Sequence, residues 1–230
     1  MARYFRRRLK PRPPHRKKVP VTDNRAQRTK VVAFDCDGVM FDSREANRAY
    51  YNHVLDYCHL PAMVPEQLAY VHMHTVGESL AYLIRDETTR KAAEDYRRQL
   101  GYQPFLKFMQ MEPGLVPLLE TLRPGFKTAV ATNRTDTMAR VLAENHIDHL
   151  FDLVVCALDV QFPKPHPEAL VKVVEHFSVS AAEVIYVGDS QVDEMAARAA
   201  GIAFVAYRNP DLTADYHIRS LAEVAGLVGL

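Results

Sequence analysis

Two aspartates spaced two apart, Asp35 and Asp37, close the apolar run Val31-Val32-Ala33-Phe34 and are followed by Gly38. Apolar runs of this kind read as buried parallel strands. Burying one carboxylate is costly, and burying two side by side is worse unless a cation offsets them. At a strand end, where a loop begins, such a pair can hold a metal and face a substrate. The same pair also suits a turn whose aspartates accept backbone hydrogen bonds. On these residues alone both readings stand.

Three further polar groups sit at comparable places. Thr132-Asn133-Arg134 ends the apolar run that begins at Lys127, and Lys164 lies in Phe162-Pro163-Lys164-Pro165 after the run 153–157. Gly188-Asp189-Ser190 follows Val184 to Val187, with Asp193 close behind. Each has a structural alternative: Thr132 and Asn133 can cap a helix, Lys164 can be a solvated loop lysine, and Ser190 with Asp193 fits a capping box. Four such groups, each at the end of a strand, are hard to dismiss as punctuation. Together they suit phosphoryl transfer. Carboxylates are hard oxygen ligands for Mg²⁺, a lysine and a hydroxyl offset phosphate charge, and a carboxylate can act as nucleophile and form an acyl phosphate.

The elements that must position these groups follow from periodicity. Strands are predicted at 31–35, 127–132, 153–157, 184–187 and 203–207, with helices at 115–122, 135–145, 166–177, 191–200 and about 216–226. Alternation of this kind predicts an α/β fold, a doubly wound parallel sheet with a Rossmann-like core. In such sheets ligands bind beyond the carboxyl ends of the strands, where all four groups fall. Residues 43–59, 66–74, 77–84 and 86–100 read as helices with no strand between 43 and 110. The expected organisation is a core of 29–43 and 112–230, an inserted all-helical cap at 44–111, and a tail at 1–28.

The net charge of +1 over 230 residues hides an asymmetry. Residues 1–30 hold twelve Lys or Arg against the single acid Asp23, which leaves the rest of the chain at −10. Four prolines in the tail oppose a continuous helix, so 1–28 is expected to be disordered. Such an arm suits nucleic acid or another anionic surface, or it is simply a solvated tail. Cys36, Cys58 and Cys156 show no zinc or pairing pattern, which fits a reducing, cytoplasmic setting. No apolar stretch approaches the roughly 20 residues that span a bilayer, and no signal-peptide core is visible.

Asp35-Cys36-Asp37-Gly38-Val39, Thr132-Asn133, Lys164-Pro165 and Gly188-Asp189-Ser190-Gln191-Val192-Asp193, in that order and spacing, resemble the haloacid-dehalogenase-like hydrolase superfamily over about 31–210. Lys164-Pro165-His166-Pro167-Glu168 and Ala196-Ala197-Arg198-Ala199-Ala200-Gly201 look most like its phosphoglycolate-phosphatase-like branch. The tail has no counterpart in that pattern. The resemblance implies a Mg²⁺-dependent phosphatase acting on a small phosphorylated metabolite. Asp35 would attack phosphorus, and Asp37 would protonate the leaving alcohol and then take a proton from water. Asp189 and the Asp37 backbone carbonyl would join Asp35 on the metal, with Asp193 in support. Thr132 and the Asn133 amide would hold phosphoryl oxygens, Lys164 would sit between Asp35 and the phosphate, and the cap would select the substrate. Sugar phosphomutases share both aspartates and are the rival within the superfamily. A nucleic-acid-associated protein working through its basic tail is the rival outside it. In the cap, Arg44, His72, His74, Arg85 and Lys107 are candidate substrate contacts. Cys36 reads as the variable residue between the aspartates.

Overall fold

In the computed structural model, which describes residues 29–230, the run ahead of the paired aspartates is strand β1 (Val31–Phe34), buried throughout. The basic tail expected at 1–28 lies outside the described residues. A two-residue strand β2 (Phe41–Asp42) leads into the cap helices α1 (Arg44–Tyr57), α2 (Pro65–Met73), α3 (Val76–Leu83) and α4 (Glu87–Leu100), then a 3₁₀ turn at Gln103–Phe108. The chain returns through β3 (Gln110–Met111), which pairs antiparallel with β2. This short ribbon carries both crossings between core and cap. Beyond it come α5 (Leu115–Leu122), β4 (Lys127–Ala131), α6 (Met138–Glu144), β5 (Leu153–Val155), α7 (Glu168–Phe177), β6 (Val184–Gly188), α8 (Gln191–Ala200), β7 (Ala203–Tyr207), β8 (Tyr216–Ile218) and α9 (Glu223–Leu227).

The six core strands are all parallel, in the order β5-β4-β1-β6-β7-β8. Successive side chains of a strand point to opposite faces. Val32 and Phe34 therefore join one apolar layer with Leu115, Leu119 and Val141, while Val31 and Ala33 join the other with Leu170, Val173 and Ala197. Helices cover both faces, as the near-continuous apolar strands require. β4 lies on one side of β1 and β6 on the other. The loops that leave β1 and β6 thus diverge, opening a crevice at their carboxyl ends.

The cap has its own core, in which Tyr50, Val54, Leu80 and Phe105 are buried together. Local signals fix its helix starts. Asp86 accepts the Thr89 amide at 2.7 Å ahead of α4, and Thr75 and Glu78 exchange amide hydrogen bonds ahead of α3. Such caps satisfy amides that have no partner within the helix.

The structure corrects one expected element. The helix predicted at 216–226 is edge strand β8 followed, after a turn, by the short helix α9. Tyr216, His217 and Ile218 pair in register with Val205, Ala206 and Tyr207. The Glu223 carboxylate takes the amides of Arg219 and Ser220, which delays the helix start.

Candidate active site

The Asp35 amide donates to the Val187 carbonyl at 2.9 Å, carrying the β1–β6 ladder one residue past the strand and fixing Asp35 at the sheet edge. The chain then turns sharply. Gly38 donates to the Phe41 carbonyl, while Met40 and Phe41 both donate to Cys36. Gly38 has φ +84°, and a β-carbon there would lie 2.1 Å from Asp189 Oδ2. Only glycine permits that conformation and that approach. At Gly188 a β-carbon would come within 2.5 Å of the Asp193 β-carbon, so its absence lets the first turn of α8 close over β6.

Lys164 comes from the loop after β5 and is 2 % exposed. Its Nζ donates to Asp35 Oδ1 at 2.7 Å, Asp193 Oδ1 at 2.6 Å and the Tyr186 hydroxyl at 2.8 Å. An ammonium has three protons, so all are committed inside the protein. Burial opposes the Lys164 charge, but Asp193 and Asp35 hold its pKa above the usual lysine range. Asp193 is equally engaged. Its Oδ1 takes Lys164 and lies 2.8 Å from the Tyr186 hydroxyl, while its Oδ2 accepts the Ser190 amide at 3.1 Å and Ser190 Oγ at 2.5 Å. Burial would raise the Asp193 pKa, yet Lys164, Ser190 and Tyr186 bring it below the ordinary carboxylate value. The expected capping box at Ser190 is present, and it serves the same network.

Asp35 has one oxygen on Lys164; the other accepts from no described residue. Burial, opposed by Lys164 but reinforced by Asp193 and Asp37, pushes its pKa up to about 7. Asp37 is held differently. Arg134 Nε donates to its Oδ2 and Nη2 to its Oδ1, both at 2.8 Å, and Ser43 Oγ donates to Oδ1. Burial works to raise Asp37, but the guanidinium and the Ser43 hydroxyl carry its pKa below the ordinary value.

Asp35, Asp189 and Asp193 each offer an oxygen within 4.8 Å of the others. No described residue donates to the Asp189 side chain, whose pKa is driven well up by burial and by the Asp193 and Asp35 charges. A half-buried carboxylate facing two more, with no donor of its own, fits a bound divalent cation with oxygen ligands. Because donors already fill both oxygens of Asp193, Asp35 and Asp189 are the side chains with ligand capacity to spare.

Thr132, 2 % exposed, and Asn133 stand beside this cluster at the end of β4. Thr132 Oγ1 accepts the Arg134 amide at 3.2 Å, which leaves its hydroxyl proton to donate. The Asn133 side chain pins three segments: Oδ1 accepts the Lys164 amide at 2.9 Å, and Nδ2 donates to the carbonyls of Lys164 at 2.9 Å and cap residue Met73 at 3.1 Å.

A cavity of about 90 Å³ between core and cap is lined by Asp35, Asp37, Thr132, Asn133, Lys164 and Asp189. Six of the seven site residues expected from sequence thus share one space, with Asp193 bound to Lys164 beneath it. Of the cap candidates, His72 and His74 line this cavity, and Arg44 lines a neighbouring one of about 470 Å³. Arg85 instead lies over the Tyr82 ring at 5.8 Å and Lys107 over Phe108 at 5.0 Å; neither lines either cavity. Cys36 is buried, and burial together with Asp37 drives its thiol pKa well up, which removes the reactive thiolate.

Sequence reasoning missed two residues. Arg134 follows Thr132-Asn133 at the end of a buried strand, where an arginine needs an anion, and finds it in Asp37. Tyr186 is hidden in the apolar run Val184-Ile185-Tyr186-Val187, where a buried hydroxyl signals a polar partner, here Lys164.

A family model for haloacid dehalogenase-like hydrolases matches residues 32–207. The chain belongs to this family. It is 30% identical to a phosphoglycolate phosphatase of Haemophilus influenzae over 76% of this chain and 84% of that one. It is 26% identical to pyrophosphatase PpaX of Halalkalibacterium halodurans over 86% and 96% of the two chains. Among solved structures, a subfamily IA hydrolase of this superfamily from Geobacter sulfurreducens superposes with a TM-score of 0.73 at 38% identity, covering 87% of this chain and 97% of that one. The protein is a phosphatase-type hydrolase with the Rossmann-like core of its family. Among the described residues no helix is long and apolar enough to cross a membrane.

Proposed function

We propose that this hydrolase is a Mg²⁺-dependent phosphatase that cleaves a small phosphate ester through an aspartyl-phosphate on Asp35. The observation that carries the reading is the state of Asp35. One oxygen is fixed by a buried ammonium, and the other has no donor among the described residues, in a cavity shared with Asp37 and Thr132. Lys164 orients the nucleophile and opposes the burial that raises its pKa; with all three protons committed, it acts on Asp35 rather than as a phosphate donor in this state. Thr132 Oγ1 and the Asn133 backbone amide would hold the phosphoryl oxygens. Asp35, Asp189 and the Asp37 carbonyl would hold Mg²⁺, which supplies charge neutralisation for the phosphoryl group. Attack by Asp35 forms the new bond to phosphorus as the bond to the leaving oxygen breaks. Asp37, once it has taken up a proton, gives it to that oxygen and takes one back from the water that cleaves the aspartyl-phosphate. Proton transfer of this kind contributes typically about 10²–10⁴-fold.

The test is phosphate release across a panel of small phosphate esters, with Mg²⁺ and with chelator. Release should require Mg²⁺, and Asp35→Asn should abolish it for every substrate. Undiminished metal-dependent turnover by Asp35→Asn would refute the nucleophile assignment. Incubation with a hexose 1-phosphate separates hydrolysis from the mutase reading: free phosphate is expected, whereas a phosphate moved within the sugar would mark a mutase.

A further inference from the structure

In this arrangement the proton-transfer carboxylate keeps a single open acceptor site. A carboxylate offers about four in-plane acceptor sites, and three on Asp37 are filled, two by Arg134 and one by Ser43. A planar fork meeting a carboxylate edge fixes both its plane and its direction. The pair is well buried, with side-chain exposures of 7% for Arg134 and 12% for Asp37. A proton donor must bring one of its oxygens within hydrogen-bond reach of the leaving-group oxygen. The one site left, on Oδ2, has its direction fixed by the fork, and the guanidinium opposes the proton that Asp37 must carry, so leaving Arg134 frees Asp37 both to turn and to be protonated.

Arg134 is set in the joint between core and cap. Its Nη1 donates to Thr137 Oγ1 at 3.1 Å, and its guanidinium carbon lies 4.9 Å from the centre of the Tyr102 ring. Tyr102 belongs to the cap and donates to Asn47 Oδ1 at 2.7 Å, and the Asn47 amide meets His72 Nδ1 at 3.1 Å. Arg134 lines the cavity together with Arg97 and Arg98. Arg97 is paired with Glu94 at 2.8 Å, while Arg98 has no carboxylate partner among the described residues. The same wall carries Asp35, Asp37, Asp136 and Asp189, so a guanidinium there stays paired only while a carboxylate or another anion faces it.

Resting on the phosphatase reading above, we propose that Arg134 is a latch on Asp37, opened by a second anionic group on the leaving part of the substrate. Arg134 exchanges the Asp37 carboxylate for the substrate's anion, and Asp37 turns to the leaving-group oxygen. The exchange keeps the guanidinium paired. Without a second anion, releasing Asp37 strands a buried cation, which is strongly unfavourable. Once released, Asp37 takes a proton from solvent and delivers it to the leaving oxygen as Asp35 bonds to phosphorus; the hydrolytic water later restores that proton. Arg134 is thus a positioning residue that selects substrates through the acid, without touching phosphorus.

The experiment compares 2-carboxyethyl phosphate with propyl phosphate on the full chain with Mg²⁺. The wild type should favour the carboxylate ester by about tenfold or more, a scale set by pairing or stranding a buried polar group, and the preference should lie in kcat. Arg134→Met should bring the two kcat values to within about threefold of each other, because no latch then remains to open. A wild-type kcat ratio near one, a preference confined to KM, or an Arg134→Met ratio equal to the wild type's each overturns the latch. A preference confined to KM would make Arg134 an ordinary anion contact. Should Arg134→Met fail to fold, Arg134→Lys keeps the charge and loses the fork: a lowered kcat ratio supports the latch and an unchanged one overturns it. Release of phosphate from neither ester, nor from p-nitrophenyl phosphate, would instead remove the phosphatase reading, and the latch with it.

Discussion

Lys164 shows how little freedom the central charges have. Its ammonium is enclosed by two carboxylates and a phenol, at 2.6 to 2.8 Å. Removing one partner of a buried ion pair strands the other, at about 3–5 kcal/mol. Lys164→Met should therefore lower unfolding stability by about that amount in chelator, read from urea transitions. A change below about 1 kcal/mol would mean that water already screens Asp35 and Asp193. Turnover should fall as well, since Asp35 loses the cation that opposes its burial. At this scale the sequence was informative about groups that face outward from strand ends and weak about their partners. Asp35, Asp37, Lys164 and Asp189 announce themselves as charges after apolar runs. Arg134 and Tyr186 do their work through contacts with residues 97 positions and 22 positions away, respectively. No spacing rule reaches that far.

Among the elements, the junction of β1 and β6 sets the distance between Asp35 and Asp189, and it is clamped from below. Lys30 donates its amide to the Glu183 carbonyl at 2.8 Å, and its ammonium meets the Glu183 carboxylate at 2.6 Å. The same carboxylate accepts the Ser180 amide at 2.8 Å and hydroxyl at 2.9 Å. Lys30 first, then Ser180, lower the Glu183 pKa from 4.5 to about 2. A depressed folded-state pKa stabilises the native state above the unfolded value and loses that contribution as pH falls through the folded value. Glu183→Gln should thus show a lower urea midpoint than wild type at pH 7, with the gap closing between pH 4.5 and about 2. A gap that persists unchanged at the acid end would show that the charge of Glu183 contributes nothing to the junction. Sequence signals were good for strands buried on both faces, where apolar runs are unbroken, and poor at the sheet edge. Tyr216-His217-Ile218 is short and half exposed, and its strand character comes from pairing with β7, a tertiary contact. The ribbon of β2 and β3 was equally invisible, since two residues carry no period.

For the whole molecule, the ordering of Asp35, Asp189 and Asp193 around one space is a cost that folding must offset. Like charges brought within 4.8 Å disfavour the native state unless a proton or a cation joins them. An ion that binds only the folded protein stabilises it by RT ln(1 + [L]/Kd), about 2.7 kcal/mol at a hundredfold excess over Kd. The melting temperature should therefore climb with Mg²⁺ concentration above that in chelator. Asp189→Asn removes the carboxylate that has no donor of its own, so it should raise the melting temperature in chelator and flatten the Mg²⁺ dependence. These two effects have opposite signs at low and high Mg²⁺, so the variant and wild-type curves should cross. Parallel curves would mean that the cation binds elsewhere and that the repulsion is relieved by protons alone. The cap is tied to the same cluster. Asn133 ties the Lys164 loop to Met73, and Arg134 lies over the Tyr102 ring, so the carboxylate cluster and the cap share two residues from the end of one strand. If the cation tightens the cluster through that strand end, Mg²⁺ should also slow proteolysis of the cap helices in the wild type but not in Asp189→Asn. Equal protection in both would uncouple the cap from the metal site.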